Sequence, residues 1–285
     1  MHYANYKTLL SPENGMNLYR GCVHGCIYCD SRSLCYKMKH DFEDIEVKRD
    51  AAAILENELK KKKKPCMIST GSMCDPYIPI EKELKLTREC LEIIEKHGFG
   101  LSILTKSSLI LRDLDILAKI NKKTKCVVQM TLTTFDENLC RKLEPNVSTT
   151  SERFQVLKEM RDAKIPTVVW LSPILPYIND TEENLMGLLD YCLIAKVRGI
   201  LCYGFGMTLR DGNREYFYEN LEMLSHGLKG KYIGKFGKSY SCTSDNNSHL
   251  MTLLIETCKQ NEILYKTDEV FSYLKTFESR QINMF

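Results

Sequence analysis

Cys22, Cys26 and Cys29 fall within eight residues, in the run Tyr19-Arg-Gly-Cys-Val-His-Gly-Cys-Ile-Tyr-Cys29. Their spacing, Cys-x3-Cys-x2-Cys, supplies three soft thiolates, one fewer than a closed four-ligand site. A [4Fe–4S] cube prefers four, so three protein ligands leave one iron open to bind another molecule. Zinc is the competing reading, with His24 or Cys35 as the fourth ligand. His24 lies inside the loop, however, where four donors on one ion would be strained. Structural zinc sites also favour paired Cys-x2-Cys knuckles, and no second pair exists in the chain. A plain ferredoxin needs a fourth cysteine at a defined spacing, which is missing too. The chemistry on offer is that of a cluster with an exposed iron.

A loop of this kind must be held by a scaffold, and the sequence describes one. Strand-like runs cover Cys66 to Gly71, Leu101 to Thr105, Cys126 to Thr134, Pro166 to Leu171 and Gly199 to Gly204. Between them lie helical patterns from about Glu43 to Lys63, Leu86 to Lys96, Leu109 to Ile120, Ser151 to Ala163 and Thr181 to Lys196. With one strand placed before the cysteines, the alternation gives about six βα units, and hence a parallel sheet with right-handed crossovers. Periodicity does not separate a partial barrel from an open doubly wound sheet. In both, ligands bind at the C-terminal ends of the strands, which is where the cysteine loop falls. Past Thr208 the pattern turns polar, aromatic and glycine-rich before a helix from about Ser248 to Gln260. The expected division is a barrel over residues 1–207, with its cluster loop at 20–30, and an extension over 208–285 that packs on or closes it.

Composition sets the class. The chain has 285 residues, 44% apolar and 27% charged, as in a soluble globular protein, and a net charge of +3 is too mild to argue for nucleic acid. No run of about 18 apolar residues is present and the N-terminus lacks a signal pattern, so a cytoplasmic location with no membrane association is expected. Thirteen cysteines, most of them scattered singly, argue against a secreted disulfide scaffold.

The cysteine motif, with an aromatic residue before its third thiol, resembles the signature of the radical SAM superfamily. That resemblance implies an α/β fold, the partial (β/α)6 radical SAM barrel with a C-terminal appendage. It implies that Cys22, Cys26 and Cys29 hold [4Fe–4S], whose open iron chelates S-adenosylmethionine (SAM). Reductive cleavage of SAM, with a reductant such as flavodoxin or ferredoxin, then gives a 5′-deoxyadenosyl radical that abstracts hydrogen from substrate. Asn17 to Cys22, Gly71 to Tyr77, Leu86 to Arg88, Leu104 to Ser107, Leu111 to Asp115 and Lys142 to Pro145 narrow the match. With Leu175-Pro176, Asn179-Asp180 and Arg214 to Tyr218, they resemble the spore photoproduct lyase-like branch.

Roles follow from that branch and from position. Small residues Gly71 and Ser72 end a strand where backbone can approach the methionine part of SAM. In the lyase, a lysine matching Lys106 contacts the SAM carboxylate, a sound use of a charge-assisted donor at a strand end. Tyr28 either shields the cluster, packs on adenine or belongs to the core; Thr131 and Ser172 are further candidates on later strands. The lyase's hydrogen-donating cysteine has no direct counterpart. Anchored on Asp75, the register puts Ser72 at that position and Cys74 two residues late, still on the same side of an extended segment. Cys74 is therefore a candidate hydrogen donor, and repair of damaged DNA is the first functional expectation. A radical SAM enzyme modifying a peptide, RNA or small molecule is the second, and a non-enzymatic iron–sulfur or zinc protein the third. Two stretches bear on partners. Lys229 to Lys238 interleaves bases and aromatics, suiting either a nucleic-acid grip or a solvated loop. Gln281-Ile-Asn-Met284-Phe285 resembles a sliding-clamp-binding pentapeptide.

Overall fold

The computed structural model describes residues 1–279, so the clamp-like residues Gln281, Met284 and Phe285 lie outside the described residues. Six strands form one sheet: β1 (Gly15–Met16), β2 (Met67–Thr70), β3 (Gly100–Thr105), β4 (Cys126–Thr131), β5 (Thr167–Trp170) and β6 (Gly199–Leu201). They are hydrogen-bonded in sequence order, every pair parallel. This is the partial barrel, and the period-2 pattern of β4 shows how it is built. Cys126, Val128 and Met130 face the main core under the helices, while Val127 faces the bore beside Val168 and Leu201.

The outer layer is α1 (Ala51–Lys61), α2 (Leu86–Lys96), α3 (Leu114–Lys123), α4 (Thr150–Asp162) and α5 (Glu182–Ala195). The range expected to form the first helix is divided. Glu46–Lys48 is a strand between His2–Ala4 and Tyr19–Arg20, and α1 starts only after Asp50, in the left-handed region at φ 54°. A 3-10 segment, Ser108–Asp113, replaces the first turns expected of α3. The α4 cap is Thr149 rather than Ser151, in a capping box with Glu152.

Beyond β6 come α6 (Asn213–Leu224), α7 (Leu228–Phe236), α8 (Asn247–Gln260) and α9 (Thr267–Lys275). Strand Gly206–Thr208 crosses the expected boundary at 207 and pairs antiparallel with Ser241–Thr243. Helix α9 inserts Val270 and Leu274 against Val127, Val168 and Leu201 in the bore. Buried Lys125 fixes it by donating to the Tyr273 and Thr276 carbonyls at 2.9 and 3.2 Å and pairing with Glu278 at 2.7 Å. Among the described residues no helix is long and apolar enough to cross a membrane.

Candidate functional site

The cysteine loop leaves Tyr19–Arg20 through Gly21, whose φ of 88° and close approach to Phe42 exclude a side chain: a Cβ would lie 2.6 Å from the Phe42 carbonyl oxygen. The Cys22 amide donates to that same carbonyl at 2.8 Å. On its other side the loop is clasped by residues 143–146. The Ile27 amide donates to Leu143 and the Asn146 amide to His24, while Asn146 Nδ2 reaches the Val23 carbonyl at 2.9 Å. The loop therefore satisfies its backbone against two separate segments, which presents its thiols in a fixed arrangement.

Burial pushes the Cys22 thiol up, opposed by the His24 amide and reinforced by neighbouring Cys26 and Cys29. Burial likewise pushes Cys26 up to about 12, although the Lys106 ammonium, 3.7 Å from its sulfur, pulls the other way. Thiols so placed ionise when a metal binds them, releasing protons. Among the described residues the group whose ligand atoms all lie within 4.8 Å of one another is His2, His40 and Asp44, so the three thiols are splayed more widely. One zinc ion, bonded to sulfur at about 2.3 Å, needs its sulfurs about 3.8 Å apart. An all-thiolate donor set on a wider spacing fits an iron–sulfur cube.

Above the strand ends lies a cavity of about 630 Å³, bounded on one side by Tyr28, Cys29, Ser72, Lys106 and Ser172. The opposite wall comes from the segment after β6 and the hairpin of Gly206–Thr208 with Ser241–Thr243. Tyr28, Ser72, Lys106 and Ser172 thus meet at one site. Gly71 lies just below it at φ 99°, where a Cβ would meet the Leu104 carbonyl oxygen at 2.0 Å. Glycine is required there for β2 to lie against the end of β3. Thr131 is buried at the end of β4 and is not among the lining residues; its carbonyl accepts from Arg153 Nη1 at 3.1 Å. Cys74 is also buried, its thiol donating to the Gly21 carbonyl at 3.0 Å behind the cysteine loop, away from the cavity that Ser72 enters.

Lys106 is the cation of the site. Its amide donates to Asp75 Oδ2 at 2.8 Å, and Thr105 Oγ1 reaches Asp75 Oδ1 at 2.7 Å, which fixes the end of β3. Burial raises the Asp75 pKa, but His24, Thr105 and the Lys106 amide together hold it below the usual range. Lys106 Nζ lies 2.7 Å from the Tyr28 hydroxyl and 3.0 Å from Glu144 Oε1. Glu144, fully buried, also accepts from Tyr28 and from the guanidinium of buried Arg153. Burial opposes its ionisation, yet Arg153 and Lys106 win and hold it below the usual carboxylate range. Burial disfavours the Lys106 ammonium too, and Cys26, Glu144 and Tyr28 more than offset that. Two cations face one carboxylate, so Arg153 can neutralise Glu144 and leave the charge of Lys106 for a ligand.

Glu144 and Arg153 were not singled out from sequence as site residues, although Glu144 stands in Lys142-Leu-Glu-Pro145. The interleaved segment at Lys229 to Lys238 is largely helix α7 rather than a loop. Tyr232 is buried with its hydroxyl on the Pro176 carbonyl at 2.6 Å, so it serves as an anchor and not as a stacking platform for bases. The exposed bases of that segment are Lys231, Lys235 and Lys238, and Ile233 between them is exposed too.

Residues 16–189, which carry the cysteine loop, the glycine strand end and Lys106, match the model of the Radical SAM superfamily. The chain belongs to the radical SAM superfamily. Its cofactors are those of the family, a [4Fe–4S] cluster and SAM, and the three thiols and the Lys106 cavity fit them. An uncharacterized protein of Mycobacterium tuberculosis is 31% identical over 208 residues, covering 71% of this chain and 61% of that relative. One from Methanocaldococcus jannaschii is 36% identical over 169 residues, covering 59% and 62%. The radical SAM chain thus spans about three fifths of the length of these curated relatives. In fold it is similar to spore photoproduct lyase with bound AdoMet and dinucleoside spore photoproduct, at TM-score 0.61, 15% identity and coverage of 87% and 74%. It is also similar to Streptococcus suis SuiB bound to S-adenosylmethionine, at TM-score 0.51, 14% identity and coverage of 93% and 49%. The radical SAM fold, in its spore photoproduct lyase-like form, is thereby identified.

Proposed function

We propose that Cys22, Cys26 and Cys29 hold the cluster and that the cavity beside them seats SAM and one reacting group of the substrate. When bound and reduced, the cluster supplies the electron that cleaves SAM to methionine and a 5′-deoxyadenosyl radical, which takes hydrogen from that group. The observation that carries this reading is Lys106, an ammonium 3.7 Å from a cluster thiol and inside the cavity. Its role is to bind the SAM carboxylate, with Tyr28 lying under it (4.6 Å from the ring centroid) and Glu144 neutralised from behind by Arg153. Gly71 and Ser72 allow backbone to approach the methionine portion, and Ser172 lines the same side of the cavity as Lys106. Thr131 supports this wall through its carbonyl. Thr208, Ser241, Thr243 and Asn247 bring the C-terminal extension to the opposite wall of the cavity. Anaerobic protein with dithionite and SAM is expected to release 5′-deoxyadenosine, and absence of that product refutes the reading.

Lys106→Met is expected to raise KM for SAM by about 10–100-fold, the loss of a charge-assisted pair at about 1.5–3 kcal/mol. The change in kcat should be smaller, since the interaction is made equally before and during cleavage. A kcat loss with unchanged KM would mean that Lys106 does not hold SAM.

For substrate we propose a damaged nucleic acid in the cytoplasm, related to the lyase reaction. Helix α7 supports this with exposed Lys231 and Lys235, the latter paired with Asp245 at 2.8 Å. Oligonucleotides carrying a thymine lesion should raise the rate of SAM cleavage and be repaired; if they do neither, the nucleic-acid reading falls while the SAM reading stands. Cys74 acts as hydrogen donor only if its thiol leaves the Gly21 carbonyl. A modified peptide is the competing substrate class.

A further inference from the structure

Away from the cluster, the first strand of the chain carries a second set of metal-type donors. His2 and Glu46 are register partners on adjacent parallel strands, and His40 and Asp44 belong to the loop that leads into Glu46. His2, His40 and Asp44 each present a ligand atom within 4.8 Å of the other two. Glu46 Oε2 lies 3.7 Å from His2 Nε2 and 3.8 Å from His40 Nε2. The two imidazole rings stand 4.8 Å apart and nearly perpendicular, at 82°. That is how two histidines approach one centre edge-on rather than stack.

The surroundings orient these donors. His40 Nδ1 is 3.0 Å from the Asp41 carbonyl, which fixes the ring and turns Nε2 towards Glu46. His40 Nε2 is buried and has no hydrogen-bond partner. His2 Nδ1 meets Asp44 Oδ2 at 2.8 Å, and Tyr6 donates to Glu46 Oε1, leaving Oε2 towards the histidines. Histidines that bind metals commonly give their other ring N–H to a carbonyl or carboxylate in this manner. Asp44 Oδ1 receives the terminal amino group at 2.8 Å.

We propose that His2, His40, Asp44 and Glu46 form a binding site for a divalent transition-metal ion of the zinc type. Two imidazoles and the Glu46 carboxylate make a three-donor set for such an ion, with Asp44 holding His2 Nδ1 and water completing the shell, whereas magnesium and calcium prefer oxygen alone. Tetrahedral binding at about 2.0–2.2 Å places neighbouring donors about 3.4 Å apart, so the observed 3.7 and 3.8 Å close by small side-chain rotations. The ion has a structural role. It ties the N-terminal strand to the loop whose Phe42 carbonyl receives the Cys22 amide, and so braces the cluster loop from behind.

The test uses cluster-loaded protein without an N-terminal tag, so that the cysteine triad is already occupied. After equilibration with zinc sulfate and desalting, it should retain about one zinc per chain besides its iron, and zinc X-ray absorption should show nitrogen and oxygen neighbours at about 2.0–2.1 Å. His40→Gln and Glu46→Gln should each weaken zinc binding at least about tenfold while iron content stays at the wild-type level. Zinc should also raise Tm in the wild type and not in these variants. A sulfur shell at about 2.3 Å, no retained zinc, or equal retention in His40→Gln overturns the proposal. The absorption measurement needs no variant, so a variant that misfolds does not shield the proposal.

Discussion

Cys26→Ala is expected to leave a folded protein with no cluster: iron falls from about four per chain to background, and 5′-deoxyadenosine formation is lost. The loss should be complete because a cube held by two thiolates has neither the ligand number nor the orientation to keep its open iron facing the cavity. Cys26 is the most informative of the three. It is 7% exposed, beside Lys106, and its neighbour Ile27 is hydrogen-bonded to Leu143. Removing one sulfur from a buried site costs stability by about 1–3 kcal/mol, small enough to leave the barrel folded at room temperature. Far-UV circular dichroism should be that of the wild type, which separates loss of ligand from loss of fold. Cys74→Ala is the natural comparison. That thiol is buried near the same loop but bonded to the Gly21 carbonyl, so iron content should survive its removal. A Cys26→Ala protein that still carried a full cluster, or a Cys74→Ala protein that carried none, would require a different ligand set.

Much of this arrangement was legible in the sequence, because the features involved are local. Three thiols in eight residues declare themselves by spacing. Helix Leu86–Lys96 was readable at both ends, from its apolar period and from the His97-Gly98 stop. Strand ends carrying Gly71 and Lys106 were readable once the βα alternation was counted. The failures are long-range. Glu46–Lys48 carries a helix-compatible sequence but becomes a strand because Val47 pairs with both Tyr3 and Tyr19. Lys229-Gly-Lys-Tyr-Ile-Gly reads as a loop by its glycines, yet burial of Tyr232 among Phe217, Leu221 and Met207 holds it helical. Glu144, Arg153 and Lys106 come from three segments, and no periodicity relates them. The same holds for His2, His40 and Glu46, which only the parallel pairing of the first strand brings together.

Arg153→Met is expected to cost about 3–5 kcal/mol of stability and to lower Tm by roughly 10 °C. The side chain is fully buried in α4 and reaches three acceptors: the Ser148 and Thr131 carbonyls at 2.8 and 3.1 Å, and Glu144. Methionine fills comparable volume, so the cost is electrostatic rather than a cavity. What remains is a buried carboxylate whose surviving cation, Lys106, is then engaged in neutralising it and is not free for the SAM carboxylate. Weaker SAM binding should therefore accompany the lower Tm. The sign of the pH dependence follows from the depressed pKa of Glu144. A carboxylate ionised more easily in the folded state stabilises the fold above its unfolded pKa of about 4.3, and that contribution is lost as pH falls through the lower folded value. The gap between wild type and Arg153→Met should thus be full at pH 7 and shrink as the pH is lowered below about 4. In the double variant Arg153→Met with Glu144→Gln the buried charge is gone, and the two losses should fall short of their sum by about 2 kcal/mol or more. Additive losses, or a gap independent of pH, would mean that Arg153 serves the Ser148 and Thr131 carbonyls and that Lys106 alone keeps Glu144 ionised.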